Sequence, residues 1–221
     1  MHSTVRCHHT KGMQITILGA SGRIGQLLVP LALANGHQIT ALTHTKNPFT
    51  PQTGLRVLQG DISDPIMMQQ ATEGSQVIIS TLGSWGTKQK TTLSRAMNTL
   101  VPLLEADGSS SLVISLTGAA ALIDTDQPSF LDTVNRWLLL LIAPKILRDA
   151  ETHIKTLQTS TINWKVVRAP VMNDKPHQAY VLRATLAAPW LTIARQSVAH
   201  CLLDLAESDQ WQQQAPVIYQ H

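Results

Sequence analysis

The stretch Ile15-Thr16-Ile17-Leu18-Gly19-Ala20-Ser21-Gly22-Arg23-Ile24-Gly25 decides the fold. Four strand-forming residues run into three glycines spaced G-x-x-G-x-x-G, and a helix-forming run up to Ala34 follows. Glycine has a physical task at each position. One must turn tightly, one must let the backbone approach a pyrophosphate, and one must let helix pack against strand. The helix that opens there offers unpaired N–H groups and a partial positive charge to phosphates. A glycine motif alone is a weak signal. Placed between a strand and a helix near the start of a βαβ pattern, it reads as a dinucleotide site.

Outward from this turn, apolar runs of strand length recur at Ile15–Leu18, Ile39–Leu42, Leu55–Leu58, Val77–Ile79, Leu112–Ile114 and Trp164–Val167. Several are continuous rather than alternating, as in strands buried on both faces of a parallel sheet. Helical stretches lie between and after them, at about Arg23–Ala34, Pro65–Thr72, Thr91–Ala106, Lys145–Thr159 and Gln196–Ala206. The alternation predicts a doubly wound α/β fold of Rossmann type: a parallel sheet between two helical layers, in one domain over residues 13–221. Asn35-Gly36 and Asp107-Gly108 fit helix C-termini, and Ser63-Asp64-Pro65 fits a helix cap. Pro30 falls inside the first helix, where a bend is expected. Gly118–Ala143 reads as a long insertion after the fifth strand, covering the substrate side. Its apolar run Trp137–Ile142 reads first as core or as a wall over the substrate, with a partner surface as the lesser reading.

Composition narrows the function classes. The chain has 221 residues, 43% of them hydrophobic and 14% charged, which suits a buried sheet and opposes extensive disorder. A net charge of +3, scattered along the chain, gives no footprint for nucleic acid. The longest apolar run, Trp137–Ala143, falls far short of the about 20 residues that a membrane span needs. The expectation is therefore a chain with neither nucleic-acid nor membrane partner. Two cysteines, Cys7 and Cys201, form no framework, as in a reduced cytoplasmic protein. Residues 1–12 are polar and His-rich and read as a disordered leader. No metal-site spacing is found. Monomer and homodimer are both left open.

Cofactor choice can be read after the second strand. NAD sites place an acid about 20 residues beyond the glycine turn, on the ribose diol. Here the strand ends Thr43-His44-Thr45-Lys46, without an acid. His44 and Lys46 stand where a 2′-phosphate would lie, and Arg23 sits in the glycine turn itself. The pattern predicts NADP(H) over NAD(H). Lys46 taken singly reads first as a solvated loop charge, and the missing acid together with Arg23 carries the preference.

Further segments occur in order: Gly60-Asp61-Ile62, Ser80-Thr81-Leu82-Gly83, Val113-Ile114-Ser115 and Asn163-Trp164-Lys165-Val166-Val167-Arg168-Ala169-Pro170. With the glycine turn they resemble the atypical short-chain dehydrogenases, in the NmrA-like and biliverdin reductase B (flavin reductase) branch, over about Met13 to Gln220. The resemblance implies that Asp61 and Ile62 flank the adenine. It implies that Thr81, Leu82 and Gly83 line the path of ribose and nicotinamide. It sets Ser115 and Thr117 near the nicotinamide and a histidine, His200, by the substrate pocket. Thr117 and His200 are thus the candidate catalytic residues.

The chain departs from the usual pattern in one respect. Short-chain dehydrogenases use Tyr-x-x-x-Lys, a proton donor whose pKa the lysine lowers. The corresponding positions are near Ile146 and Ala150, and neither can move a proton. Two readings survive this loss. One is an NADP(H)-dependent reductase passing hydride to a flavin, quinone or similar conjugated acceptor. The other is an NmrA-like redox sensor that binds the dinucleotide and acts through a protein partner. A sugar-nucleotide epimerase or dehydratase would need the missing pair. On the helix Lys145–Thr159, Glu151 and Lys155 read as an i,i+4 ion pair, and His153 as a minor catalytic candidate.

Overall fold

The computed structural model describes residues 12–220, apart from residues 86, 88, 187 and 189. The proposed leader therefore lies outside the described residues, except for Gly12. Ten strands and six helices follow in the order β1 (Gln14–Leu18), α1 (Gly25–Ala34), β2 (Gln38–Thr43), β3 (Leu55–Gln59), α2 (Pro65–Thr72), β4 (Val77–Ser80), α3 (Thr92–Ala106), β5 (Leu112–Gly118), α4 (Phe130–Ile142), α5 (Pro144–Gln158), β6 (Asn163–Ala169), β7 (Val171–Asn173), β8 (Tyr180–Arg183), β9 (Thr192–Ala194), α6 (Arg195–Ala206) and β10 (Val217–Gln220). These counts refer to the described residues. The main sheet has the order β3-β2-β1-β4-β5-β6-β10-β8, parallel except for the antiparallel β8 at its edge. This is the doubly wound Rossmann arrangement, with the chain reversing direction across the sheet between β1 and β4.

Both sheet faces are covered, which explains the continuous apolar runs. Ile15, Ile17, Ile39, Ile79, Ile114 and Val167 pack toward α1 and α6. Leu18, Leu42, Ile78, Val113, Trp164 and Val166 pack toward α2, α3 and α5. A polar side chain within these layers needs a partner. The Thr16 hydroxyl donates to Ala71 O (2.5 Å). Lys165, fully buried on β6, donates from Nζ to Leu205 O (2.8 Å) and to Ser208 O at the C-terminal end of α6. Burial lowers its pKa to about 8.

The predicted helix ends hold. Asp64 caps α2 through the amide of Ile66 (2.9 Å). Gly36 and Gly108 take positive φ values of 84° and 57° just past α1 and α3. Pro30 sits inside α1, and Pro102, which the sequence reading passed over, sits inside α3. Both rings face solvent, so water can take up the backbone carbonyl each leaves without a donor.

Two expectations fail. The run Trp137–Ile142 is not core. It belongs to α4, a helix with no buried residue, in which Trp137, Leu138, Leu141 and Ile142 are exposed and Leu139 and Leu140 are half-buried. No sheet surface remains for α4, because α3 and α5 already cover that face. Glu151 pairs with Arg136 of α4 rather than with Lys155, because α4 brings the arginine to that flank of α5. Through this contact the insertion after β5 packs on α5.

Candidate functional site

The glycine turn lies at the C-terminal end of β1, where open α/β sheets bind ligands. The amides of Gly19 and Ala20 both donate to Leu42 O (3.1 Å each), which folds the turn back against β2. Gly19 has φ +76°, and a Cβ there would lie 2.9 Å from the Leu82 side chain. At Gly25 a Cβ would come within 2.6 Å of the Ala20 backbone, so only glycine lets α1 approach the turn this closely. At Gly22 the side facing solvent is open, with a single neighbour, Gly19 O, at 3.1 Å. No side chain caps α1. Among the described residues, the amides of Arg23 and Ile24 donate to no protein acceptor. Unpaired donors, a bare glycine and a helix N-terminus together form a cradle that fits a pyrophosphate.

The neighbouring strand ends complete the crevice. Thr81 follows β4, and its hydroxyl donates to Leu18 O (3.0 Å) and Gly19 O (3.2 Å), tying β4 to the turn. Leu82 covers the turn, and Gly83 follows it with open space where a side chain would stand. Asp61 and Ile62 follow β3. The Asp61 carboxylate accepts from the Ser63 amide (2.8 Å) and the Ser63 hydroxyl (2.7 Å), which hold its pKa below the usual range; Arg95 and His44 act in the same direction. His44 and Lys46 follow β2 and are exposed, as is Arg23 in the turn.

Ser115 and Thr117 lie on β5, two residues apart and therefore on one face of the sheet. Ser80 of β4 stands in register with Ser115. The three hydroxyls form a buried row facing α5. Those of Ser80 and Thr117 have no hydrogen-bond partner among the described residues. Ser115 meets His153 Nε2 at 3.2 Å, and His153 Nδ1 lies 2.6 Å from Ala150 O. A carbonyl can only accept, so Nδ1 carries the proton. Neutral His153 then accepts at Nε2, and the Ser115 hydroxyl donates to it. Burial lowers the His153 pKa to about 4, against smaller opposing effects of Ala150 O and Asp149. The imidazole is a fixed acceptor at neutral pH and not a proton donor.

This arrangement has a measurable consequence. The unfolded chain protonates His153 near pH 6.5 and the folded chain only near pH 4. The stability that this group contributes is complete above pH 6.5 and is lost as pH falls from 6.5 to 4. The expected loss between pH 7 and pH 4.5 is about 2–3 kcal/mol. His153→Gln, which keeps an acceptor for Ser115, should show that much less acid sensitivity in urea unfolding. Equal acid sensitivity in the two chains would refute the assignment.

Beside His153, Asp149 is buried on α5. Its carboxylate accepts from the Ser84 hydroxyl (2.6 Å), the Leu93 and Ser94 amides (3.1 and 2.9 Å) and the Ser94 hydroxyl (2.6 Å). It thereby caps α3 from outside that helix, a pairing that sequence reading missed. Asp149 and His153 are spaced i,i+4 on the helix where Tyr-x-x-x-Lys was sought, and this spacing was the one available signal. Ile146 is half-buried and Ala150 is buried, and neither carries an acid or base.

His200 stands apart from the other candidates. It lies on α6, on the opposite side of the sheet from α5, with its ring centroid 4.1 Å from that of His177. Burial, and then the neighbouring His177, lowers its pKa. Among the described residues, no group of three or more His, Cys, Asp or Glu side chains is placed to hold a metal ion. Likewise, no helix there is long and apolar enough to cross a membrane.

Comparison with known proteins agrees with this geometry. Residues 19–209 match the family described as NAD(P)H-binding, and the chain belongs to that family. Its fold is that of a short-chain dehydrogenase/reductase from Veillonella parvula, solved in complex with NADP (TM-score 0.75, 19% identity, 94% of each chain). ChuY, an anaerobillin reductase from Escherichia coli O157:H7, is similar to the same degree (TM-score 0.74, 20% identity, 94% of this chain and 97% of that one). In sequence, 71 residues are 35% identical to the photosystem II assembly factor Ycf39 of Cyanophora paradoxa. That match spans 31% of this chain and 22% of the longer protein.

Proposed function

We propose that the chain is an NADP(H)-dependent reductase of the atypical short-chain type, acting on a flavin, quinone or similar conjugated acceptor. The observation that carries this reading is a dinucleotide cradle whose adjoining helix, α5, offers no proton donor. Nicotinamide, when bound, supplies a hydride. The chain's own part is to position two rings. A conjugated acceptor spreads the incoming charge and can take its proton from solvent. Arg23 and Ile24 hold the pyrophosphate with backbone amides, and Gly22 leaves the backbone bare for its approach. Arg23, His44 and Lys46 face the 2′-phosphate, Asp61 and Ile62 the adenine, and Thr81, Leu82 and Gly83 the ribose. The free hydroxyl of Thr117 serves the nicotinamide or the acceptor. Ser115 is held toward His153 and serves as an acceptor only. His200 stays a candidate on the substrate side, as part of the C-terminal region that follows β6.

The missing acid after β2 supports NADP(H) over NAD(H), as does the NADP in the Veillonella relative. A reduced cytoplasmic location fits this chemistry. The test is oxidation of NADPH by the purified protein with a panel of flavins and quinones, followed at the nicotinamide absorbance band, with NADH in parallel. The expected result is turnover with at least one acceptor and tighter binding of NADPH than of NADH. Tight binding without turnover on any acceptor would instead assign the chain as a redox sensor acting through a protein partner.

A further inference from the structure

We propose that α4 is the seam of a homodimer, with the α4 of a second copy packed antiparallel against it. The helix is amphipathic in the unexpected sense. The side turned toward α5 carries Asn135 and Arg136 along with Leu139 and Leu140, all half-buried. The side turned to solvent carries Phe130, Leu131, Val134, Trp137, Leu138, Leu141 and Ile142, each 41–81% exposed, and no charge. A helix on a monomer's surface has the opposite polarity.

Three features select a second copy as the occupant. The first is spacing: Phe130, Val134, Trp137 and Leu141 repeat at intervals of four, three and four, the a/d pattern by which helices interdigitate. The second is area. Phe130 and Trp137, 81% and 65% exposed, present roughly 300 Å² between them. The five aliphatic side chains carry the stripe beyond the roughly 300–600 Å² patch of an ordinary monomer. That approaches the roughly 800 Å² that each member of a stable protein pair buries. The third is charge. Asp124 precedes α4 and Asp132 lies in its first turn, while Lys145 and Arg148 follow it in the first turn and a half of α5. A twofold axis across an antiparallel pair sets the cationic end of each copy beside the acidic end of the other, and the helix dipoles oppose.

The inference does not depend on the cofactor or on turnover. Light scattering on the 221-residue chain at micromolar concentration should give twice the 24.1 kDa of one copy. Trp137→Glu with Leu141→Glu should give a monomer with unchanged helical circular dichroism, because both side chains are exposed and anchor nothing within the chain. Arg148→Glu, on the rim, should weaken the dimer roughly tenfold without abolishing it. A parent chain that is monomeric throughout would overturn the proposal. So would a dimer that tolerates all three substitutions. Binding of a monomer to phosphatidylglycerol vesicles through Trp137 and Leu141 would overturn it as well, and would assign the stripe to a lipid surface.

Discussion

Asp126→Ala lowers the unfolding free energy by about 3–5 kcal/mol, the largest stability loss expected of a single substitution outside the apolar layers. Arg168 on β6 is wholly buried, and its guanidinium donates four hydrogen bonds. Nε donates to Ala215 O (2.7 Å) and Nη1 to Ala121 O (3.1 Å), while Nη1 and Nη2 form a forked pair with Asp126. The Asp126 side chain is only 2% exposed and also accepts from the Ile123 amide (2.9 Å). Together these bonds fasten the loop after β5 onto the end of β6. Removing the carboxylate strands a cation that can neither lose its proton nor reach water. The double variant Asp126→Leu with Arg168→Met removes both charges and should recover most of the loss. Urea unfolding of the single and double variants measures the difference. Equal destabilisation of the two would mean that packing, and not the stranded charge, sets the cost.

Gly22→Asp should weaken NADPH binding by roughly 100-fold or more, about 3 kcal/mol, while leaving the melting temperature within a few degrees. A side chain at Gly22 meets only Gly19 O, at 3.1 Å, a tight contact that a shift of a few tenths of an ångström in the turn relieves. A carboxylate placed there would occupy the cradle of free amides and set a negative charge against the phosphates. Titration calorimetry with NADPH reads the affinity, and a thermal melt reads the fold. A dissociation constant within threefold of the parent would show that the pyrophosphate lies elsewhere. Gly25→Ala makes a poor substitute, because its Cβ would strike backbone atoms of Ala20 and couple binding to folding.

Much of the fold was legible because its signals are local. The run Ile15–Leu18, the three glycines and the Asp64-Pro65 cap each act within a few residues, and α2 falls at Pro65–Thr72 as read. The small strands β7 to β10 were not legible. Each is three or four residues long, too short for a period to show, and exists because a neighbour pairs with it. The site divides in the same way. The cradle could be read because glycine's backbone freedom is its whole content. Asp149 and His153 could not, since capping α3 across 55 residues and pinning Ser115 across 38 depend on which helix lies over which strand.

By itself, then, the sequence determined the strand–glycine–helix unit, the absence of an acid after β2 and the absence of a tyrosine–lysine pair, because these are facts of residue identity at fixed spacing. Only the tertiary structure decided that Trp137, Leu138, Leu141 and Ile142 face outward and that His153 is a neutral acceptor. It also set Asp126 against Arg168. Burial and partnership are properties of the packed chain, and a residue's own chemistry does not state which side of a helix its neighbours will leave open.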